Sequence, residues 1–315
     1  MRYRPLGTTG CKVSVLGLGS WLTLGSSVDQ RTTTALVRAA LEDGINFLDT
    51  ADIYARGAAE TALGVALEGV RRQDLVLATK VFWPMSDDVN DRGLSRKHVI
   101  ESCHASLKRL RTDYVDLYQC HRPDPETPVE ETVRAMEDLV RAGRVLYWGV
   151  SVWSADQIRE ACEAADRTGG YRPVSNQPEY SFLQRDIEDE VVPTCLELGL
   201  TQVVWSPLAQ GLLTGKYAGG KIPAGSRAAD EQRSKFLRPM LTPDNLARAA
   251  HVAEVAAGLG LTPAQLALAW VLAQPDISSA ITGATRVEQL RENLKAADVD
   301  LAPATLERLA EAPAA

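Results

Sequence analysis

Short apolar runs rich in strand-forming residues alternate along the chain with longer segments in which apolar positions recur every three to four residues. The runs predict eight strands, near Leu16–Leu18, Asn46–Leu48, Leu75–Thr79, Val115–Gln119, Val145–Val150, Val174–Gln177, Gln202–Trp205 and Ser279–Ile281. The segments between them predict helices, and three helix starts carry explicit chemistry. Thr127-Pro128-Val129-Glu130, Ser154-Ala155-Asp156-Gln157 and Thr262-Pro263-Ala264-Gln265 each fit a capping box, two of them with Pro at the first helical position. Parallel strands need a crossover between them, and a helix supplies it. The alternation therefore predicts an α/β fold with a parallel sheet, either closed into an eight-stranded barrel or open and doubly wound.

Two regions break the repeat. From Tyr3 to Val15 a Gly-Thr-Thr-Gly turn lies between short polar runs, which predicts a β-hairpin ahead of the sheet. Between Ser206 and Pro243 the chain is rich in Gly, Pro, Ala and basic residues, and far exceeds the roughly 4–6 residues usual for a connection. A loop of that length inside a regular repeat reads as a lid or binding segment.

Composition narrows the class. The chain has 315 residues, with 41 Asp plus Glu against 34 Lys plus Arg, a net charge of −7. An acidic balance argues against nucleic acid or an anionic membrane surface as main partner. Barrels of this kind run to about 250 residues or more as one unit, so length alone leaves one large barrel or two domains. Four reactive groups that fall on one rim, Asp49, Tyr54, Lys80 and His121, make residues 1–315 a single expected barrel domain. Five cysteines in no C-x-x-C pair fit a reducing compartment. No apolar signal core opens the chain, and no stretch approaches the roughly 20 apolar residues of a membrane span, so a cytoplasmic protein is expected.

Several familiar signatures fail. Gly17-Leu18-Gly19 follows a strand, but position 22 is Leu, so the three-glycine dinucleotide fingerprint is incomplete. Gly215-Lys216 lacks the Gly and the Ser or Thr of a phosphate loop, with Gln210 and Tyr217 at those places. His98, His104, His121 and His251 show no metal-ligand spacing, and no metal is expected. Cys120 adjoins His121, but neighbours on a strand point to opposite faces and cannot form a thiolate pair.

Four polar residues at strand ends hold together better. Asp49 follows the second strand, Tyr54 lies in the loop after it, Lys80 ends the third strand and His121 ends the fourth. In an eight-stranded α/β barrel the C-terminal rim is where active sites assemble. Each residue alone has a structural reading: a helix cap, a half-buried aromatic, a solvated strand end, a turn histidine. As a set they make a device. A phenol has an ordinary pKa of about 10; an ammonium beside it stabilises the phenolate, a carboxylate holds the ammonium charged and placed, and an imidazole donates to the same oxygen. Such a group polarises a carbonyl and delivers a proton to the alkoxide that forms.

These segments resemble the aldo-keto reductase superfamily. Asp49-Thr50-Ala51-Asp52-Ile53-Tyr54, Ala78-Thr79-Lys80 and Cys120-His121-Arg122-Pro123-Asp124 match that family's catalytic segments in order and spacing. The similarity extends from Leu6-Gly7 to the helix after Gly283. Gly93-Leu94-Ser95-Arg96-Lys97-His98, Glu130-Glu131-Thr132-Val133-Arg134-Ala135-Met136, Trp205-Ser206-Pro207-Leu208 and Gly215-Lys216-Tyr217 are similar to the branch containing the potassium-channel β subunits.

The resemblance implies a single (β/α)8 TIM barrel with an N-terminal β-hairpin and a long cofactor-covering loop. It also implies an oxidoreductase that reduces an aldehyde or ketone with NADPH, using Tyr54 as proton donor helped by Lys80, Asp49 and His121. Ser151 and Gln177 match residues that hold the nicotinamide carboxamide, and Ser20 and Trp21 match residues near the ribose and substrate. Trp205, Ser206, Pro207, Leu208, Gln210, Gly211 and Lys216 match the segment over the pyrophosphate, with Arg227 further along.

Gly283, Thr285 and Arg286 match the site of the 2′-phosphate. Thr285 and Glu288 fit a capping box there, and the free N–H groups of a helix start suit a phosphate. Gln289, Glu292 and Asn293 match residues near the adenine. Trp21, Tyr54, Trp83 and His121 are expected around the carbonyl substrate, with Phe82 and Trp153 nearby.

Two features of the chain bear on these implications. Val152 departs from the branch, which has Asn or Arg there, so one contact on the nicotinamide side is expected to be missing or supplied elsewhere. The complete four-residue set and the short lead before the hairpin favour an enzyme over a cofactor-bound regulatory protein like the channel β subunits. A third reading, a Schiff-base aldolase using Lys80, is disfavoured because Asp49 would keep that amine protonated. The resemblance leaves a homo-oligomer open.

Overall fold

The computed structural model describes residues 1–224, 226–230 and 234–312. A two-stranded antiparallel hairpin, β1 (Tyr3–Pro5) and β2 (Lys12–Ser14), precedes a closed barrel of eight parallel strands. These are β3 (Leu16–Gly19), β4 (Phe47–Asp49), β5 (Val76–Val81), β6 (Val115–Cys120), β7 (Val145–Val150), β8 (Ser175–Asn176), β9 (Thr201–Val204) and β10 (Ile277–Thr282). Each strand pairs with the next in chain order, and β10 closes on β3. Closure excludes the open doubly wound sheet.

Helices α1 (Gln30–Glu42), α2 (Ala58–Ala66), α3 (Arg96–Leu110), α4 (Val129–Arg141), α5 (Ala155–Arg167) and α6 (Val191–Leu198) connect β3 through β9 in turn. The β9–β10 connection holds the long loop, α7 (Pro243–Gly258) and α8 (Pro263–Ala273); α9 (Val287–Leu294) and α10 (Pro303–Ala310) follow β10.

The expected capping boxes form at Ser154 and Thr262. They fail at two other places. Helix α4 has Pro128 as its cap residue, because the Thr127 hydroxyl instead donates to Asp124 Oδ2 at 2.8 Å. Helix α9 has Arg286 at its cap with no side-chain bond, and Thr285 turns to Gln289. The described residues of the Ser206–Pro243 segment form short 3-10 turns at Ala209–Thr214, Ala218–Gly220, Arg227–Ala229 and Arg238–Met240.

Strand period two divides the side chains between two cores. Leu16, Leu18, Leu48, Leu77, Val81, Tyr118, Cys120, Trp148, Val150 and Val204 pack outward against the helices. Phe47, Val76, Ala78, Leu117, Val203 and Ile281 fill the interior together with Leu6 and Val13 of the hairpin, which seals the N-terminal end. The Gly17-Leu18-Gly19 sequence belongs to this packing. A Cβ at Gly17 would stand 2.7 Å from Phe47 Cδ1, and one at Gly19 2.5 Å from Ile281 Cγ2, so the glycines make room for the interior side chains.

Among the described residues no single helix is long and apolar enough to cross a membrane. Among them, too, no group of His, Cys, Asp and Glu is placed to hold a metal ion. All five cysteines are unpaired, and burial raises each thiol pKa.

Candidate active site

The interior face that carries Phe47, Ala78 and Leu117 near the bottom of the barrel carries Asp49, Lys80, Gln119 and His121 toward the rim, two residues at a time along β4, β5 and β6. Lys80 is fully buried and spends its three donors. Its Nζ donates to Asp49 Oδ1 at 2.6 Å, to the Thr50 backbone oxygen at 2.8 Å and to Tyr54 Oη at 3.3 Å. The other carboxylate oxygen of Asp49 accepts from Gln177 Nε2 at 2.9 Å and from Gln119 Nε2 at 3.4 Å. Gln177 Nε2 also reaches Gln119 Oε1 at 3.3 Å. Asp49 is thereby fixed from both sides, and it fixes Lys80.

Tyr54 is brought to Lys80 by an unusual turn. After Asp49 the chain is pinned by Thr50 N to the Ala78 oxygen and Asp52 N to the Lys80 oxygen, 3.0 and 3.3 Å. Tyr54 is then followed by three successive left-handed residues, Ala55 (φ 48), Arg56 (φ 51) and Gly57 (φ 86). Seven of the nine non-glycine residues with positive φ among the described residues lie on this rim: Leu22, Ala55, Arg56, Val152, Ser206, Ala209 and Gln210. Such conformations cost of order 1–3 kcal/mol each and gather at functional sites. Val152, β-branched, has φ 58 and is 42% exposed beside the buried Ser151.

Burial pushes the Tyr54 phenol above its ordinary pKa, and the Lys80 charge only partly offsets this. The lowered phenol pKa expected from the sequence is therefore not realised in this state. Burial also works against the Lys80 ammonium, but Asp49 and Tyr54 outweigh it and the net shift is upward. A protonated, fully hydrogen-bonded amine is a poor nucleophile, which disfavours Schiff-base chemistry. His121 is held well below its ordinary pKa by burial, then by the charges of Lys80 and Arg122, so it is neutral near pH 7. Its ring meets Tyr54 edge-on at 5.6 Å and Trp83 at 6.3 Å, and its buried Nδ1 has no partner among the described residues.

The aldo/keto reductase family model matches residues 15–313, nearly the whole barrel. The chain belongs to the aldo/keto reductase family. It is 46% identical over 314 residues to an Arabidopsis thaliana protein named "Probable voltage-gated potassium channel subunit beta", covering 98% of this chain and 95% of that one. A protein of the same name from Oryza sativa subsp. japonica is 47% identical over 302 residues, 95% of this chain and 92% of the other. Membership supports an oxidoreductase, and the closed barrel with its hairpin agrees with the family's (β/α)8 fold.

The remaining residues of this aldo/keto reductase expected to meet a cofactor fall on the same rim. Ser20 Oγ donates to Thr50 Oγ1 at 2.8 Å, and Ser151 Oγ donates to the Gln177 backbone oxygen at 2.7 Å. Ser206 Oγ accepts from Gln210 N and Nε2 at 3.1 and 2.9 Å, tightening the turn that runs from Trp205 through Pro207 and Leu208. Gly211 has φ 98, and a Cβ there would stand 2.9 Å from Lys216 Nζ, so the glycine admits the lysine. Lys216 is exposed, and the side chain of Arg227 lies outside the described residues.

At the other end, α9 starts without a side-chain cap beside exposed Gly283 and Arg286. Asn293 is buried with its Nδ2 unpartnered among the described residues. Glu292 is engaged by Gln265 and Lys295, each at 2.8 Å.

Three site features were absent from the sequence expectations. Gln119 stands two residues before His121 on one strand, and that spacing is the signal for a shared face. Thr50 serves Lys80 through its backbone oxygen, which no side-chain pattern reveals. Phe236, from the long loop, packs edge-on against Trp21 at 5.4 Å, a tertiary contact with no local signature. Trp153 is buried in the outer core, so it packs the barrel and does not wall the site.

Proposed function

We propose that this protein is an NADPH-dependent carbonyl reductase with Tyr54 as proton donor. The observation that carries the reading is Lys80 Nζ, whose three donors go to Asp49, Thr50 and Tyr54 and leave the phenol directed by a buried cation. A carbonyl oxygen near Tyr54 Oη would be polarised by the phenol, and neutral His121 offers an N–H to the same oxygen. As negative charge develops there, Tyr54 gives up its proton and the Lys80 ammonium stabilises the phenolate left behind. Gln119 and Gln177 hold Asp49, which keeps Lys80 charged throughout. The nicotinamide, when bound, supplies the hydride.

The chain offers suitable residues for that cofactor: the start of α9, which has no side-chain cap, with Arg286 and the Asn293 Nδ2, unpartnered among the described residues, for the phosphorylated adenosine, Lys216 for the pyrophosphate, and Ser151 with Gln177 for the carboxamide. Arg286 is the basis for expecting NADPH over NADH. The five unpaired cysteines, four of them buried, support a reducing, cytoplasmic setting.

A panel of aliphatic and aromatic aldehydes and ketones assayed with each nicotinamide tests the reading. Turnover with a kcat/KM for NADPH at least about tenfold above that for NADH is expected, the worth of one charge-assisted contact. Equal or better efficiency with NADH would refute the cofactor assignment. A second reading, a cofactor-bound regulatory subunit, is favoured by the names of the plant and yeast relatives. It predicts tight cofactor binding with no turnover on any member of the panel.

A further inference from the structure

Arg122, the residue after His121, is a half-buried cation that the mechanism above leaves without a task. Its Nη1 donates to the backbone oxygen of His121 at 2.5 Å, and its Cζ stands 5.8 Å from the centroid of the Trp83 ring. Neither contact neutralises it. Among the described residues no carboxylate forms an ion pair with it. Glu179 acts on it through space, without an ion pair. Two other partly buried guanidinium groups carry ion pairs, Arg72 with Asp116 at 2.6 Å and Arg109 with Glu60 at 2.5 Å, whereas Arg4 and Arg248, like Arg122, donate to backbone oxygens.

The position of Arg122 gives this charge a use. Its guanidinium stands over the Trp83 ring, Trp83 meets His121 edge-on at 6.3 Å and His121 meets Tyr54 at 5.6 Å, so the charge flanks the pair that would receive a carbonyl oxygen. Trp83, 37% exposed, lies under the guanidinium and offers an apolar face at the same place. A planar fork of donors, partly desolvated and backed by an aromatic ring, suits an oxyanion with two or three acceptor oxygens.

We propose that Arg122 selects carbonyl substrates that carry an anionic group, carboxylate or phosphate, on the same small molecule as the reacting carbon. The proposal rests on Tyr54 being the proton donor, because that places the carbonyl beside Arg122.

The test compares benzaldehyde with 2-, 3- and 4-carboxybenzaldehyde and with 4-formylphenyl phosphate, using holoenzyme and saturating NADPH. At least one anionic aldehyde is expected to exceed benzaldehyde in kcat/KM by about tenfold or more, the range of a charge-assisted bond. Which one leads distinguishes carboxylate from phosphate. The ratio should fall toward unity in Arg122→Met and survive in part in Arg122→Lys. In the wild type it should shrink with added salt while the benzaldehyde rate holds, a readout that needs no variant. A wild-type ratio at or below one for every anionic aldehyde, or a ratio that Arg122→Met leaves unchanged, overturns the proposal. Calorimetric binding of the same aldehydes to the NADP+-loaded protein, which has no hydride to transfer, gives the ratio without turnover. Failure of catalysis, which would count against Tyr54, is thereby separated from failure of selectivity, which would count against Arg122.

Discussion

At the scale of single residues, the site is organised by saturation of hydrogen bonds around one buried amine. Lys80 has no unused donor, and Asp49 has partners on both oxygens. Replacing Lys80 by Met leaves Asp49 buried without its counter-charge, which typically costs 3–5 kcal/mol. Lys80→Met should therefore lose both stability and reduction; Tm and steady-state rate report the two, and a variant with wild-type Tm would contradict the arrangement. The proton donor sets the pH response. The Tyr54 phenol is raised above its ordinary value, so it stays protonated through neutrality and reduction should decline only on the alkaline side. His121, held neutral, should contribute no acid limb near its ordinary pKa of 6.5. A kcat/KM profile with an ionisation between pH 6 and 7 that vanishes in His121→Gln would show that the imidazole is charged after all.

At the scale of elements, local rules hold where nothing competes with them. The Ser154 box forms, with Gln157 N donating to Ser154 Oγ and Ser154 N to Gln157 Oε1. The identical-looking Thr127 box does not, because Asp124, one of the residues between β6 and α4, captures the Thr127 hydroxyl while also accepting from Leu94 N at 2.7 Å. Ser154→Ala should thus cost about 1 kcal/mol through loss of a helix cap. Thr127→Ala should act instead on the β6–α4 loop, and hydrogen exchange should show faster opening at Leu94 and Thr127, not at the first turn of α4.

The eight strands and the four-residue set were legible because period two and strand ends are written locally. Gln119 is equally legible by period, but glutamine carries no reactive group that would mark it out. The left-handed turn after Tyr54 was not legible: Ala55 and Arg56 are not residues that announce positive φ, and the turn is held by bonds to β5 from elsewhere in the chain. The same holds for Phe236, whose place on Trp21 depends on how the long loop folds back.

At the scale of the whole molecule, a closed barrel sealed below by the hairpin leaves the opposite rim open, and most of the left-handed residues and the buried Lys80–Asp49 pair lie there. The net charge of −7 surrounds a rim that carries Lys80, Arg122, Lys216 and Arg286. Buried charge behind the site also couples fold stability to pH. Burial and the neighbouring Glu60 push Asp52 from 3.8 up to about 7, although Ser102 Oγ and Ile53 N donate to it. The folded state then holds a proton that the unfolded chain has lost, so stability falls as pH rises from about 4 to about 7 and levels off above. The Tm of Asp52→Asn relative to wild type should accordingly rise between pH 5 and pH 8, and a constant difference would place the Asp52 pKa near its ordinary value.

The central claim is that Tyr54 gives the proton in a reaction that consumes NADPH, and one comparison tests it most directly: single-turnover depletion of reduced nicotinamide on mixing holoprotein with benzaldehyde, for wild type and Tyr54→Phe, with cofactor affinity measured alongside. The account predicts loss of depletion by at least about a hundredfold, the lower range for general acid catalysis, at unchanged cofactor affinity. Equal depletion in the two proteins would contradict it.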